Sequence, residues 1–147
     1  MATYMQGALK SGDTPSEYQN VGYGLFTQTT TVTTTSDGAA VSATITIPAN
    51  SQIVDYKVDG VVNAVVGGGS ATTVPVTVGT AAAGAQYMTS TNLIAGGRST
   101  AAITTAQALA MSNVGSNTSV VITADPNGTV STTQGVYRLT VVYAPKS

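Results

Sequence analysis

The sequence predicts an all-β, single-domain β-sandwich behind an extended N-terminal arm, with a jelly roll as one arrangement its strands could take. Three observations carry this expectation. The apolar residues are mainly Val, Ala and Ile, threonine is abundant, and such side chains suit a pleated, half-buried surface better than a helix. Apolar and polar residues alternate with period two in several short runs. Turn-forming residues punctuate the chain between those runs. With 147 residues, one core can form without a disulfide or a metal.

Residues 1–20 differ from the rest and read as the arm. They carry Lys10, Asp13 and Glu17, the tyrosines Tyr4 and Tyr18, and a Ser11-Gly12-Asp13-Thr14-Pro15 turn, with no sustained period. A frayed terminus and an arm docked on a neighbour both fit. Exposing Tyr4, Tyr18 and Tyr23 on a loose tail is costly, which favours docking. The sandwich domain then spans 21–147.

Leu25 to Thr35 is a threonine-rich extended run that stops at Ser36-Asp37-Gly38, a turn of the hairpin type. Val41, Ala43, Ile45 and Ile47 alternate with hydroxyl residues until Pro48 ends the strand. After the Ala49-Asn50-Ser51 turn, Val54, Tyr56 and Val58 are expected on one face and Asp55, Lys57 and Asp59 on the other. Gly67-Gly68-Gly69-Ser70 reads as a hairpin connection. Val74, Val76 and Val78 form the next strand, and Pro75 suggests an edge or a bulge there. Residues 79–100 are loop-rich, with a short strand or a turn around Tyr87-Met88. The stretch 101–111 is ambiguous between a helical turn and a strand, and is read as strand or irregular. Ser119 to Thr123 is a short strand closed by Asp125-Pro126-Asn127-Gly128. Tyr137, Leu139, Val141 and Tyr143 mark the inward face of the last strand.

Charge and reactive side chains are scarce. Five basic and six acidic residues are the whole charged complement, with no His, Cys or Trp. Ser-His-Asp triads, Cys-His pairs and ordinary zinc sites therefore cannot be built. Asp55 and Asp59 share a strand face, but four residues at about 3.3 Å each separate them by roughly 13 Å, beyond glycosidase spacings. Lys57 between them marks a charge-compensated stripe. The five cations are scattered and the net charge is −1, so no nucleic-acid footprint exists. No apolar run approaches a membrane span, and the first ten residues do not read as a secretory signal. No cofactor is expected, and no enzymatic activity.

Three stretches, taken together, have a familiar order. These are Ile45-Thr46-Ile47-Pro48-Ala49-Asn50-Ser51-Gln52-Ile53-Val54-Asp55, then Val74-Pro75-Val76-Thr77-Val78-Gly79-Thr80-Ala81 with Tyr87 through Ala95-Gly96-Gly97-Arg98, and Gly135 through Tyr143. The order resembles small structural proteins of tailed bacteriophages, including head decoration or cement proteins, over about residues 40–145. The resemblance implies a virion protein assembled in the host cytoplasm. It would sit on the outer capsid surface, bind the major capsid protein and self-associate, commonly as a homotrimer. The candidate contact residues for shell or neighbour are Tyr4, Tyr18, Tyr23 and Phe26. The alternative is a tail, fibre or head-spike module that adheres to the host surface or its glycans.

Overall fold

The computed structural model describes residues 24–65, 68–99, 104–112, 115–130 and 132–145. Eight strands and one helix follow in chain order. They are β1 (Phe26–Thr33), β2 (Val41–Ile47), β3 (Ser51–Val62), β4 (Pro75–Gly79), β5 (Met88–Asn92), β6 (Gly97–Ser99), α1 (Thr105–Ser112), β7 (Thr118–Ala124) and β8 (Val136–Pro145). One sheet has the order β1-β8-β3-β6 and the other β2-β7-β4-β5, with every pairing antiparallel.

This strand order is that of a jelly roll. First pairs with eighth, second with seventh, third with sixth and fourth with fifth, as in one long hairpin. The hairpin is then rolled so that β8 meets β3 and β7 meets β4. The period-two pattern puts Tyr137, Leu139 and Val141 of β8 and Val58 of β3 on one inner face, all fully buried. Ile47, Val76, Val78 and Ile122 cover them from the other sheet. Each such side chain contributes about 1.5–3 kcal/mol by leaving water.

Two buried tyrosines meet different ends. Tyr56 donates its phenol to the carbonyl of Tyr87, so a hydrogen bond joins the two sheets through the core. The Tyr137 hydroxyl is buried with no hydrogen-bond partner among the described residues, and burial pushes its pKa up to about 12. An unpaired buried hydroxyl costs about 1–3 kcal/mol, whereas a paired one contributes about 1 kcal/mol. Tyr137→Phe is therefore expected to raise the unfolding free energy by about 1 kcal/mol and Tyr56→Phe to lower it by a similar amount. Denaturant titration of the two variants reads the opposite signs.

Several local expectations need correction. The Ser36-Asp37-Gly38 turn exists, and Asp37 holds it by accepting from the Thr35 hydroxyl at 2.5 Å and the Ala39 amide at 3.1 Å. It is an arch from one sheet to the other rather than a hairpin, because β1 and β2 have different partners. The segment containing Gly68-Gly69-Ser70 likewise links β3 to β4 across the sandwich. Val54 is exposed and Ile53 buried, because a bulge between Ile53 and Asp55 shifts the alternation by one residue. Pro75 opens β4, an inner strand. There its missing amide is tolerated at the first position, and the irregular pairing lies further on, between Val76 and Val78.

Residues 105–112 form a helix. Thr104 caps it: its Oγ1 accepts from the Gln107 amide at 3.3 Å, while Gln107 Oε1 accepts from the Thr104 amide at 2.7 Å. This reciprocal pair is a capping box, and the Ala, Gln, Leu and Met residues that follow it are good helix formers. Met111 is buried, and α1 packs on β3 beside Ile53 and Val54.

Candidate interaction surfaces

β1 is an edge strand, bonded on one side to β8 and on the other to no described strand. Its register with β8 runs from Phe26 opposite Tyr143 to Thr33 opposite Val136 without a shift. Just beyond it the Thr34 amide donates to the Gly135 carbonyl at 2.9 Å, and the Gly135 amide donates to Thr34 Oγ1 at 2.8 Å. Backbone groups alternate sides along a strand, so Val32, Thr30, Gln28 and Phe26 face β8 in the same way as Thr34. The amides and carbonyls of Thr27, Thr29, Thr31 and Thr33 therefore point out of the open edge. Their side chains are exposed on the outer face of the sheet.

The register lays that outer face out in rows. Thr27, Val142 and Asp55 form one, and Thr29, Thr140 and Lys57 the next. Thr31, Arg138, Asp59 and Arg98 form the third. Arg98 Nε donates to Asp59 Oδ1 at 2.6 Å and Arg138 NH2 to Oδ2 at 3.4 Å. The Arg98 hydrogen bond, helped by Arg138, holds the Asp59 carboxyl below its ordinary pKa against a smaller opposing effect of burial. Lys57 Nζ lies 3.9 Å from Asp55 Oδ2, so the expected charge-compensated stripe is present. All of these pairs are solvated, and each is worth at most about 1 kcal/mol. Asp37 and Asp125, the other charged residues among those described, sit in connections.

The outer side of the second sheet is neutral. Ser42 Oγ and Thr123 Oγ1 are 2.8 Å apart, and the connection after β4 folds over them so that the Ala83 amide donates to Thr123 Oγ1 at 2.9 Å. A cleft of about 350 Å³ between this connection and the start of α1 is lined by Gln86, Thr89, Thr104, Gln107 and two alanines, with no titratable group. Among the described residues no three metal-ligating side chains gather.

Of the four expected contact residues, Tyr4, Tyr18 and Tyr23 lie outside the described residues. Phe26 begins β1 at 51% exposure, with its ring stacked on Tyr143 at 5.8 Å between centroids. It is the only exposed aromatic among the described residues. Leu25 beside it is also exposed, as are Val54 and Leu109. The last two were not legible as surface residues, because a bulge turns Val54 outward and a helix carries Leu109. Comparison with protein-family models, with curated proteins and with solved structures finds no match.

Proposed function

We propose that this jelly roll is a non-enzymatic virion structural protein of a tailed bacteriophage, a decoration or cement protein that binds the major capsid protein on the outer head surface and stabilises the shell. The observation that supports this most is the division of its exterior. Asp55, Lys57, Asp59, Arg98 and Arg138 share one sheet face, while the outer side of the second sheet, with Ser42, Thr44 and Thr46 of β2 exposed on it, presents hydroxyls and no charge among the described residues. Burying charge against a partner is costly, whereas hydroxyls re-form hydrogen bonds across an interface. A face of the second kind suits permanent docking on a lattice, and a face of the first suits water. The fold alone does not choose, since jelly rolls serve capsids, lectins and cupins.

Sedimentation of purified protein with empty phage heads tests the proposal. The full chain is expected to saturate the heads and to raise the temperature at which they disrupt. A chain lacking residues 1–20 is expected to stay folded and lose attachment. Attachment by the shortened chain would remove the arm from the mechanism, and failure of the full chain to attach would remove the proposal. Adhesion to host glycans is the second reading, favoured by the use of this fold in lectins and by the exposed ring of Phe26. Binding to a glycan array or to cells, without binding to heads, would put it first.

A further inference from the structure

The four sheet edges of the sandwich are not equally protected. β6 is three residues long and carries Arg98, and β5 pairs irregularly with β4. Natural proteins blunt edges with such short, charged or bulged strands. β1 has none of these devices. It runs eight residues, FTQTTTVT, with no charge, Pro, Gly or bulge. β2, which lies against β1 on the same side of the sandwich, is likewise uncharged.

The open edge is also complementary to itself. Its outward backbone groups belong to Thr27, Thr29, Thr31 and Thr33, symmetrically placed about Thr30. We infer that two copies of the chain pair antiparallel through β1, about a two-fold axis at Thr30, joining their four-stranded sheets into one of eight strands. Thr27 then faces the partner's Thr33 and Thr29 the partner's Thr31. Each facing pair exchanges two backbone hydrogen bonds, and each sets two threonine side chains opposite one another, a favourable cross-strand pair.

The register is specified. A slip of one residue sets outward backbone groups against groups already bonded to β8 and turns the side chains to the wrong face. A slip of two pushes an end threonine opposite Leu25 or Thr35, beyond the strand. Electrostatics permits the pairing. The nearest cation, Arg138, is one strand in from the edge, so the two copies of it lie three strand spacings apart, about 14 Å, beyond the screening length at physiological salt. The occupant favoured here is thus a second copy, whose edge matches this one in hydrogen bonding and in neutrality. The symmetry is two-fold and differs from the trimer that the phage resemblance implies. The inference does not depend on attachment to heads.

Native mass spectrometry and light scattering of the full chain are expected to give twice the 14.6 kDa chain mass. The chain has no cysteine, so T30C introduces a single thiol at the axis. Residue 30 would form a non-hydrogen-bonded pair with its copy, where the Cα separation of about 4.5 Å lets a disulfide close. Mild oxidation should convert T30C to a covalent dimer and leave T80C, in the exposed connection after β4, as free thiol. T29K/T31K sets like charges opposite one another and should weaken association by roughly tenfold or more. T29K/T31D sets each introduced lysine opposite an introduced aspartate only in the stated register, and should keep the dimer. Both positions are exposed, and circular dichroism checks that the variants fold. A monomer or a trimer in solution, a T30C that does not cross-link, or a T29K/T31D that dissociates like T29K/T31K would overturn the inference.

Discussion

Leu139→Ala is expected to lower the unfolding free energy by about 3–5 kcal/mol, read by urea or guanidinium titration. Leu139 is fully buried at the middle of β8, between Thr30 of β1 and Val58 of β3. Removing its branched end forfeits the transfer free energy of those carbons and leaves a cavity where the two inner faces meet. β8 is the strand to which both β1 and β3 are bonded, so the loss loosens the whole first sheet. Val142→Ala in the same strand is the control. Val142 points to the outer face and is only half-buried, and its truncation should cost about 1 kcal/mol or less. A larger loss at Val142 than at Leu139 would mean that the inner and outer faces of β8 have been exchanged.

Gly38→Ala should cost about 3 kcal/mol by the same titration, from two additive sources. Gly38 has φ +77°, where a side chain costs about 1–2 kcal/mol. A Cβ there would also lie 2.3 Å from the Gly128 carbonyl oxygen and 2.6 Å from its carbon, backbone atoms that cannot rotate away. The collision falls where three connections knit together. The Val130 amide donates to the Ser36 carbonyl at 3.2 Å, Ser70 and Thr129 bond reciprocally, and Asn127 Oδ1 accepts from the Thr72 and Thr73 amides at 2.8 and 2.9 Å. Gly97→Ala isolates the conformational share. Its φ is +96°, but a Cβ there meets nothing within 4 Å, so the cost should fall to about 1–2 kcal/mol.

Strand positions and their inward faces were largely legible, because a half-buried strand writes its orientation into every second residue. Val74-Val76-Val78 and Tyr137-Leu139-Val141-Tyr143 bury the residues that alternation selects. The pairing of strands was not legible, because turn chemistry is the same whether a chain doubles back within a sheet or crosses to the other. Ser36-Asp37-Gly38 illustrates this. Val54 was misplaced because a bulge changes the phase without changing composition. The helix was missed although Thr104 and Gln107 stand at capping-box spacing, a signal independent of the weak amphipathicity of the segment between Ala106 and Met111. At the candidate surface, the threonine-rich run from Leu25 to Thr35 was readable as an extended segment, while its place at a sheet edge followed from the strand order. Its symmetry about Thr30 became visible only once the bonded side of β1 was known.

The pairing of β1 with β8 joins Phe26 to Tyr143, so the first of the described strands waits for the last of them. The second sheet is complete only once β7 has been made and the first only once β8 has, so the two sheets cannot dock as finished layers earlier. Such remote contacts close slowly, since a long loop must be gathered before any bond repays it. During that interval the unguarded threonine strand is open to any extended chain nearby. Slow growth at low temperature should therefore favour soluble yield, and crowded synthesis should favour inclusion bodies.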